Sequence, residues 1–471
     1  MACEQVTLQD VCELIVDCPH TSAKDEGVGY PLIRTPNVGR GRLILTDVHR
    51  VSQDVYERRV SRAVPRQDDL ILAREAPAGN VAIVSPGIEV CLGQRTMLLR
   101  PDSSFVVPEY LNYYLNAPEQ RDRMLRLANG ATVSHINVAD IRNMPVQLPS
   151  RGEQSKVAEL LNVLDDKIDL NNRLNDYLEQ LVDGKFQELF GGLNFNATLS
   201  DVAEITMGQS PAGSSYNEEG AGIIFYQGRG EFGWRFPKRR LYTTEPKRLA
   251  CEGDVLMSVR APVGDLNVAF ENCCIGRGLA AIHSETPSFA LYLMRFLKPQ
   301  LEAYNGEGTV FGSINGKALK SLEVALPSHN EVMQFESFAA PIDALIRSNE
   351  NETRKLNNLR NYLLPKLMSG EIDVSKVDLT QLTNNHLAGR MHWSNVIRVR
   401  AIHAVHSQQS QIPAYESVPK VSHSPCRTAL TLGGIAPLLS WLAVSQFTAQ
   451  SFAMLVVFCQ VVLCGVSSEL S

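Results

Sequence analysis

One glycine pattern in the chain has the spacing of a nucleotide-binding motif. Gly228-x-Gly230-x-x-Gly233 matches the dinucleotide pattern and follows the strand-like segment 223–226. That site needs a helix to begin at the glycines, so that the helix N-terminus faces the pyrophosphate. The segment 234–240 instead contains a proline and clustered basic residues. We therefore predict no nucleotide site here.

Residues for metal or nucleophilic chemistry are scattered. Cys18-Pro-His20 offers two ligands, fewer than a zinc site uses, and the ten cysteines include no CxxC pair, which predicts reduced thiols. The chain has no P-loop, HExxH or GxSxG motif, and no evident set of nucleophile, base and orienting group. We predict that the chain is not an enzyme and binds no metal or cofactor.

Basic residues occur in two clusters, although the net charge is −6. They concentrate in segments 34–74 and 229–260, whereas acidic residues concentrate in the segment that follows residue 150. Arg and Lys neutralise phosphates, while Arg can read guanine and Asn or Gln can read adenine. We therefore predict that two basic modules contact duplex DNA through Arg34, Asn37, Arg40, Arg42, Arg74, Arg95, Gln227, Arg229, Arg235, Lys238, Arg239, Arg260 and Arg277.

Two long helices are predicted to position these modules. Ser150 and Glu153 form a capping-box sequence ahead of apolar residues spaced three and four apart, and Ser328 and Glu331 repeat it. Pro341, inside the second segment, predicts a kink. We expect the helices to pair antiparallel along a seam formed by Leu161, Leu164, Ile168, Asn171, Leu178, Leu181, Ile342, Ile346, Asn349, Leu356 and Leu359.

The repeat extends beyond the helices. Segment 7–14 returns as 198–205, each predicting a short opening helix, and Ala76-Pro77 returns as Ala261-Pro262 after a strand-like run. The predicted fold class is α+β, with two mixed α/β domains in tandem, separated by two long antiparallel helices and related by a pseudo-twofold duplication. The predicted boundaries are 1–149 and 193–327 for the domains, 150–192 and 328–370 for the helices, and 371–471 for a C-terminal tail.

The tail has no counterpart in the repeat, and we predict that it is atypical and poorly packed or disordered. Its apolar runs, 435–444 and 452–466, are shorter than the roughly 18–20 residues of a membrane-spanning helix, so we expect no membrane association. An alternative stays open, in which the chain is a structural scaffold with a membrane-associating tail.

Over residues 1–375 the chain resembles the specificity subunit of type I restriction–modification systems. Segments 225–228, 253–264, 274–280 and 363–372 carry the resemblance. It implies two target recognition domains, each reading one half of a bipartite DNA sequence. It also implies two methyltransferase subunits docked on the helices, restriction (translocase/nuclease) subunits, and a cytoplasmic location. S-adenosylmethionine, Mg²⁺ and ATP would belong to those partners.

Overall fold

The computed structural model describes residues 4–128, 135–306 and 312–374. It confirms the expected α+β class, with two tandem domains of mixed strands and short helices and a long helix after each. The tail prediction falls, from residue 375 onward, outside the described residues.

The first domain contains ten strands and four α-helices among its described residues. The strands are β1 (Glu4–Thr7), β2 (Cys12–Asp17), β3 (Tyr30–Ile33), β4 (Gly41–Arg42), β5 (Arg50–Val51), β6 (Leu70–Ala73), β7 (Val81–Ile83), β8 (Cys91–Leu92), β9 (Thr96–Pro101) and β10 (Pro145–Leu148). The helices are α1 (Gln53–Arg59), α2 (Pro108–Asn116), α3 (Pro118–Leu127) and α4 (Val138–Arg142). The main sheet has the order β2-β9-β6-β7-β4, a smaller sheet has the order β5-β3-β8, and β1 pairs with β10. Strand β6 is buried along its whole length, as its unbroken apolar run predicts.

The second domain repeats this plan. Its strands are β11 (Ala197–Thr198), β12 (Glu204–Met207), β13 (Tyr216–Asn217), β14 (Ile223–Tyr226), β15 (Tyr242–Thr243), β16 (Leu249–Ala250), β17 (Val255–Ser258), β18 (Leu266–Val268), β19 (Cys273–Ile275), β20 (Leu279–His283) and β21 (Glu323–Val324). Its helices are α6 (Leu199–Val202), α7 (Pro287–Phe296), α8 (Lys298–Glu302) and α9 (Gly316–Lys320). The sheets have the orders β12-β20-β17-β18, β13-β15-β14-β19-β16 and β11-β21.

The two domains differ where each was expected to open with a helix. The second domain has the one-turn helix α6, but residues 8–11 of the first form only a hydrogen-bonded turn. The expected helix is therefore wrong in the first domain. There the backbone N–H groups of Leu8 and Gln9 donate to the carbonyls of Met144 and Arg142, which continues the β1–β10 pairing.

The long helices are α5 (Arg151–Phe190) and α10 (His329–Met368), each 40 residues long. In both capping boxes the serine hydroxyl accepts a hydrogen bond from the glutamate N–H, and the glutamate carboxylate accepts one from the serine N–H. Local sequence therefore fixes where each helix begins. Helix α10 runs on through Pro341 and Pro365.

Helices α5 and α10 pack antiparallel, and polar side chains occupy the centre of their interface. The Asn349 Nδ2 group donates to Asn175 Oδ1 at 2.8 Å, and the Asn171 Nδ2 group donates to Thr353 Oγ1 at 3.3 Å. The repeat makes Asn171 equivalent to Asn349 and Asn175 equivalent to Thr353, so each contact is the counterpart of the other. A pseudo-twofold axis therefore passes between the helices at this point.

Toward their ends the helices pack into the domain cores as well as against each other. Val157, Ala158 and Leu161 of α5 join the first domain's core together with Leu367 of α10. At the other end, α5 and α10 bury a cluster of aromatic and aliphatic residues in the second domain's core: Val182, Phe186, Phe190, Phe335 and Ala339. Each domain is thus attached to both helices, at opposite ends of the pair.

The residues predicted to form the seam differ in how deeply they are buried. Six of them are buried, namely Leu161, Leu164, Ile168, Asn171, Ile346 and Asn349, and four are half-buried, namely Leu178, Leu181, Ile342 and Leu356. Leu359 is 45% exposed, so its assignment to the seam is wrong. Arg360, the next residue, takes the inward position, and its guanidinium bonds to Asp165 Oδ1 at 2.7 Å.

The first residues of the predicted tail also require a correction. Ile372 packs against the first domain's core, and Val374 is 1% exposed within it. Residues 371–374 are therefore packed, because two apolar side chains directly after α10 reach the apolar surface at its end.

Candidate nucleic-acid interface

In the first domain, loops that follow three strands meet at one edge of the sheets. Strands β3 and β8 are parallel, and the Gly93 N–H donates to the Ile33 carbonyl at 2.8 Å, which places Arg34 beside Gly93. The Arg74 N–H, just after β6, donates to the Arg95 carbonyl at 2.8 Å. We call these segments, Arg34, 74–79 and 93–95, the first loop edge.

The second domain builds an equivalent edge. Strands β14 and β19 are parallel, and the Gly276 N–H donates to the Tyr226 carbonyl at 2.8 Å. The Val259 N–H, just after β17, donates to the Gly278 carbonyl at 3.0 Å. The second loop edge therefore consists of segments 227–229, 259–264 and 276–278, each matching a segment of the first.

A glycine at each edge allows the loops to approach closely. A Cβ atom on Gly93 would lie 2.8 Å from the Ile33 carbonyl oxygen and 2.9 Å from Cγ of Arg34. A Cβ atom on Gly276 would lie 2.7 Å from the Gln227 carbonyl oxygen. These separations are shorter than van der Waals contact, so only glycine lets each loop lie this close to the chain at the end of β3 or just after β14.

Six predicted DNA-contact residues lie on these edges with side chains that reach solvent. Gln227, Arg260 and Arg277 are exposed, Arg95 is 52% exposed beside Glu75, Arg229 is 54% exposed beside Asp265, and Arg34 is half-buried. The buried Nε of Arg34 has no hydrogen-bond partner. Exposed ion pairs of this kind contribute about 0–1 kcal/mol, so Arg95 and Arg229 can exchange their carboxylate for a phosphate at little cost.

Arg74 also lies on the first loop edge, but its side chain has internal partners. It is paired with Asp17 at 2.7 Å, and its Nε donates to the Ile136 carbonyl at 2.9 Å. Its side chain is 12% exposed. These contacts hold the edge together, so Arg74 supports the neighbouring side chains.

Four predicted residues lie off the edges. Asn37 is 4% exposed, and its amide closes a turn by donating to the Ile44 carbonyl at 3.2 Å. Arg40 and Lys238 are exposed, and Arg239 is exposed and paired with Glu271 at 2.6 Å. Asn37 is thus a turn-forming residue, and the other three are exposed surface charges.

Arg42 and Arg235 attach the domains to the long helices. Arg42 pairs with Asp166 at 2.6 Å and with Asp169, both on α5. Arg235 is 4% exposed and pairs with Glu179 of α5 at 3.1 Å and with Asp343 of α10 at 3.0 Å. Each arginine thus links its own domain to the helix pair.

A tyrosine accompanies each of these links. The Tyr113 hydroxyl donates to Asp165 at 2.7 Å, and the Tyr292 hydroxyl donates to Asp343 at 3.2 Å. Burial raises the pKa of Tyr113, and the charge of Asp165 raises it further. Burial likewise raises the pKa of Tyr292, so both hydroxyls keep their protons and act as donors.

Arg235 stays charged in spite of its burial. Desolvation opposes the charge, but Tyr292, Asp343 and Glu179 outweigh it, and the pKa of Arg235 is raised. Sequence reasoning placed Arg42 and Arg235 on the DNA because composition does not show which partner an arginine has. The repeat does contain a signal for these links to the helices, because Tyr113 matches Tyr292 just as Asp165 matches Asp343.

The glycine pattern that matched a nucleotide site has a different structure. Gly228 precedes a three-residue helical turn, Arg229–Glu231, and the chain is extended again at Phe232. The helix that would face a pyrophosphate in a dinucleotide site therefore does not begin at these glycines. Across the described ranges, no helix is both long and apolar enough to cross a bilayer.

Comparison with known proteins agrees with this architecture. The family model of the type I restriction modification DNA specificity domain matches residues 2–180 and 196–361, one match for each half of the chain. A putative type I restriction enzyme MjaX specificity subunit of Methanocaldococcus jannaschii is 31% identical over 396 residues, which cover 78% of this chain and 93% of that protein. The EcoKI specificity subunit of Escherichia coli is 22% identical over 411 residues, covering 75% and 86%.

A solved structure has the same fold. The S subunit of the type I restriction-modification system from M. genitalium superposes with a TM-score of 0.53 at 16% identity, covering 78% of this chain and 96% of that one. Two matched domains and the extent of the MjaX match leave one conclusion: the chain belongs to the specificity subunits of type I restriction–modification systems.

Proposed function

We propose that this subunit reads a bipartite duplex, one half-site at each loop edge, and holds catalytic partners on its paired helices. The family assignment makes it a non-catalytic subunit for DNA sequence recognition. The bipartite reading is supported by one observation above all: two equivalent loop edges carry different polar side chains at matching positions, Arg34 and Gln227.

Those two positions would select different bases. Arg offers two parallel donors to guanine O6 and N7, whereas Gln pairs its amide with adenine N6 and N7. Arg95, Arg229, Arg260 and Arg277 would supply phosphate contacts that fix the register without reading sequence. An asymmetric target follows, because the two edges are built alike but offer different donors and acceptors.

The helix pair would set the separation of the half-sites. Leu161 in the first core and Phe186 in the second lie about 25 residues apart on α5, which is roughly 37 Å of helix at 1.5 Å per residue. One turn of B-DNA spans about 34–36 Å. Two domains held at that distance would meet the same face of a duplex about one turn apart.

The outer surfaces of the paired helices would hold the partner subunits. They expose large apolar residues that the seam leaves uncovered, including Leu170 (47%), Tyr177 (58%) and Tyr362 (61%). Exposed apolar groups on a helix pair fit a protein interface. In this proposal two methyltransferase subunits and the restriction subunits dock here and carry S-adenosylmethionine, Mg²⁺ and ATP.

DNA binding is tested by titrating the full chain with duplex DNA at several salt concentrations. Because cations on two edges would release counterions, we expect the logarithm of the affinity to fall linearly and steeply with the logarithm of salt concentration. Arg95→Ala with Arg277→Ala should reduce that slope by about two. Affinity independent of salt would contradict the proposal.

Partner docking is tested by co-purification with the methyltransferase subunit. Tyr177→Glu with Tyr362→Glu places charge on the exposed helix surface and should abolish co-purification while leaving the fold unchanged. The matched control is Gln180→Glu with Asn358→Asp, which adds the same two charges at exposed polar positions of α5 and α10. Unchanged co-purification of the double variant would count against this surface.

A further inference from the structure

A buried aspartate occupies the same place in each half of the repeat, just before the central strand. Asp69 precedes β6 and is 2% exposed, and Asp254 precedes β17 and is 6% exposed. In the first half, Arg100 neutralises Asp69 with two hydrogen bonds, at 2.8 and 2.7 Å, and the Arg66 N–H donates a third at 2.8 Å. A buried carboxylate needs such a partner, because an unpaired buried charge is costly.

The second half has different side chains at both partner positions. His283 takes the place of Arg100, with its Nδ1 atom 2.6 Å from Asp254 Oδ1, and Cys251 takes the place of Arg66, with its N–H donating to Asp254 Oδ2 at 2.8 Å. The cysteine sulfur, a carboxylate oxygen and an imidazole nitrogen all lie within 4.8 Å of one another. The two arginines of the first half are thus replaced by a thiol and an imidazole.

We propose that Cys251, Asp254 and His283 bind a zinc ion. Thiolate, imidazole and carboxylate are the ligands that zinc takes in proteins, and tetrahedral bonds of about 2.0–2.3 Å place the ligand atoms roughly 3.3–3.8 Å apart. The closest pair of ligand atoms is 2.6 Å apart and all three lie within 4.8 Å of one another, so shifts of about 1 Å would be needed to reach that spacing. The two positive charges of zinc would balance the Cys251 thiolate and the Asp254 carboxylate. Zinc would thereby do for Asp254 what the charge of Arg100 does for Asp69 in the first half.

Solvent access to the cluster is compatible with this role. Cys251 and the His283 ring are exposed, the latter by 52%, so an ion can enter and water can fill a fourth position. Sequence spacing alone did not reveal the cluster, because His283 reaches Asp254 only through the pairing of β20 with β17.

The cluster lies away from the proposed DNA contacts. Asp254 directly precedes β17 and His283 ends β20, whereas the second loop edge lies at the opposite ends of both strands, after Ser258 and before Leu279. The ion would therefore link two central strands without touching DNA. This inference stands or falls independently of the proposed function.

The test is a zinc titration of the metal-free full chain in competition with a chromogenic chelator, at about pH 8 because zinc displaces protons from its ligands and binds more tightly as pH rises. We expect one equivalent bound with micromolar or tighter affinity, and a thiolate-to-metal absorption band when cobalt replaces zinc. Zinc should also raise the melting temperature, since ligands that bind the folded state stabilise it.

Three variants separate the cluster from other thiols. His283→Arg restores the residue that the first half uses, so it should keep the fold while weakening zinc binding at least tenfold. Cys251→Ser should remove the cobalt band, whereas Cys12→Ser, a cysteine of the first domain, should leave it unchanged. Absence of stoichiometric binding, or binding unaltered by His283→Arg and Cys251→Ser, would overturn the proposal. DNA binding should be unaltered throughout.

Discussion

The contacts of the buried Arg235 determine how much folding stability the protein should lose when that arginine is replaced. Arg235→Met keeps much of the side-chain volume but removes the charge between Glu179 and Asp343. Glu179 retains Arg295 at 2.8 Å, whereas Asp343, 19% exposed, keeps the Tyr292 hydroxyl as its one remaining side-chain partner among the described residues. Removing one partner of a buried ion pair costs about 3–5 kcal/mol, and the surviving contacts favour the lower end. We expect a loss of about 3 kcal/mol.

The assay is thermal unfolding followed by the fluorescence of Trp234, which neighbours Arg235. The guanidinium lies 5.5 Å from the centre of that indole ring. Trp393→Phe and Trp441→Phe leave Trp234 as the only tryptophan. At roughly 2–4 °C per kcal/mol for a domain of this size, the midpoint should fall by about 6–12 °C.

Two companion variants decide whether the lost charge is the cause. Arg239→Met removes an exposed pair with Glu271 and should cost less than about 1 kcal/mol. Arg235→Met combined with Asp343→Asn removes both charges and should recover part of the loss. Equal losses for Arg235→Met and Arg239→Met, or no recovery in the double variant, would refute the assignment of Arg235 as a buried link.

Three further predictions concern the helices and one loop edge. Asn175→Leu leaves Asn349 without its acceptor and should cost about 1–3 kcal/mol by thermal unfolding, whereas Asn175→Leu with Asn349→Leu should come closer to neutral; equal costs would show that the hydrogen bond is unimportant. Ser150→Ala and Ser328→Ala each remove a helix cap and should cost about 1 kcal/mol, with faster amide exchange confined to the helix starts; unchanged exchange would argue against the caps. Arg277→Ala should reduce the slope of DNA affinity against salt by about one, and an unchanged slope would place that arginine off the DNA.

The parts of the fold that were predictable depend on local sequence. A capping box and apolar residues spaced three and four apart determine a helix wherever it lies in the chain, and so α5 and α10 begin at Arg151 and His329. The repeat then predicted two like domains. Neither the helix pattern nor the repeat predicts which side chain faces the partner helix. Near the end of α10, Arg360 turns inward while Leu359 stays exposed.

The site was less predictable because its residues have partners far along the chain. Arg42 and Arg95 look alike in sequence, but the first meets Asp166, 124 positions away, while the second stays 52% exposed on a loop. Phe186 and Phe190 were likewise not assigned to the core, since their burial depends on Phe289 and Phe335 from other elements. Tertiary pairing, which no local pattern encodes, decides these cases.

The central claim is that each domain reads one half of a single bipartite target, and exchanging one domain tests it most directly. Residues 1–149 are replaced by the matching domain of another specificity subunit, the chimera is expressed with its methyltransferase partner, and the methylated motif is sequenced. One half-site should change, while the other half-site and the distance between them stay the same. A motif that changes in both halves, or in neither, would contradict the account.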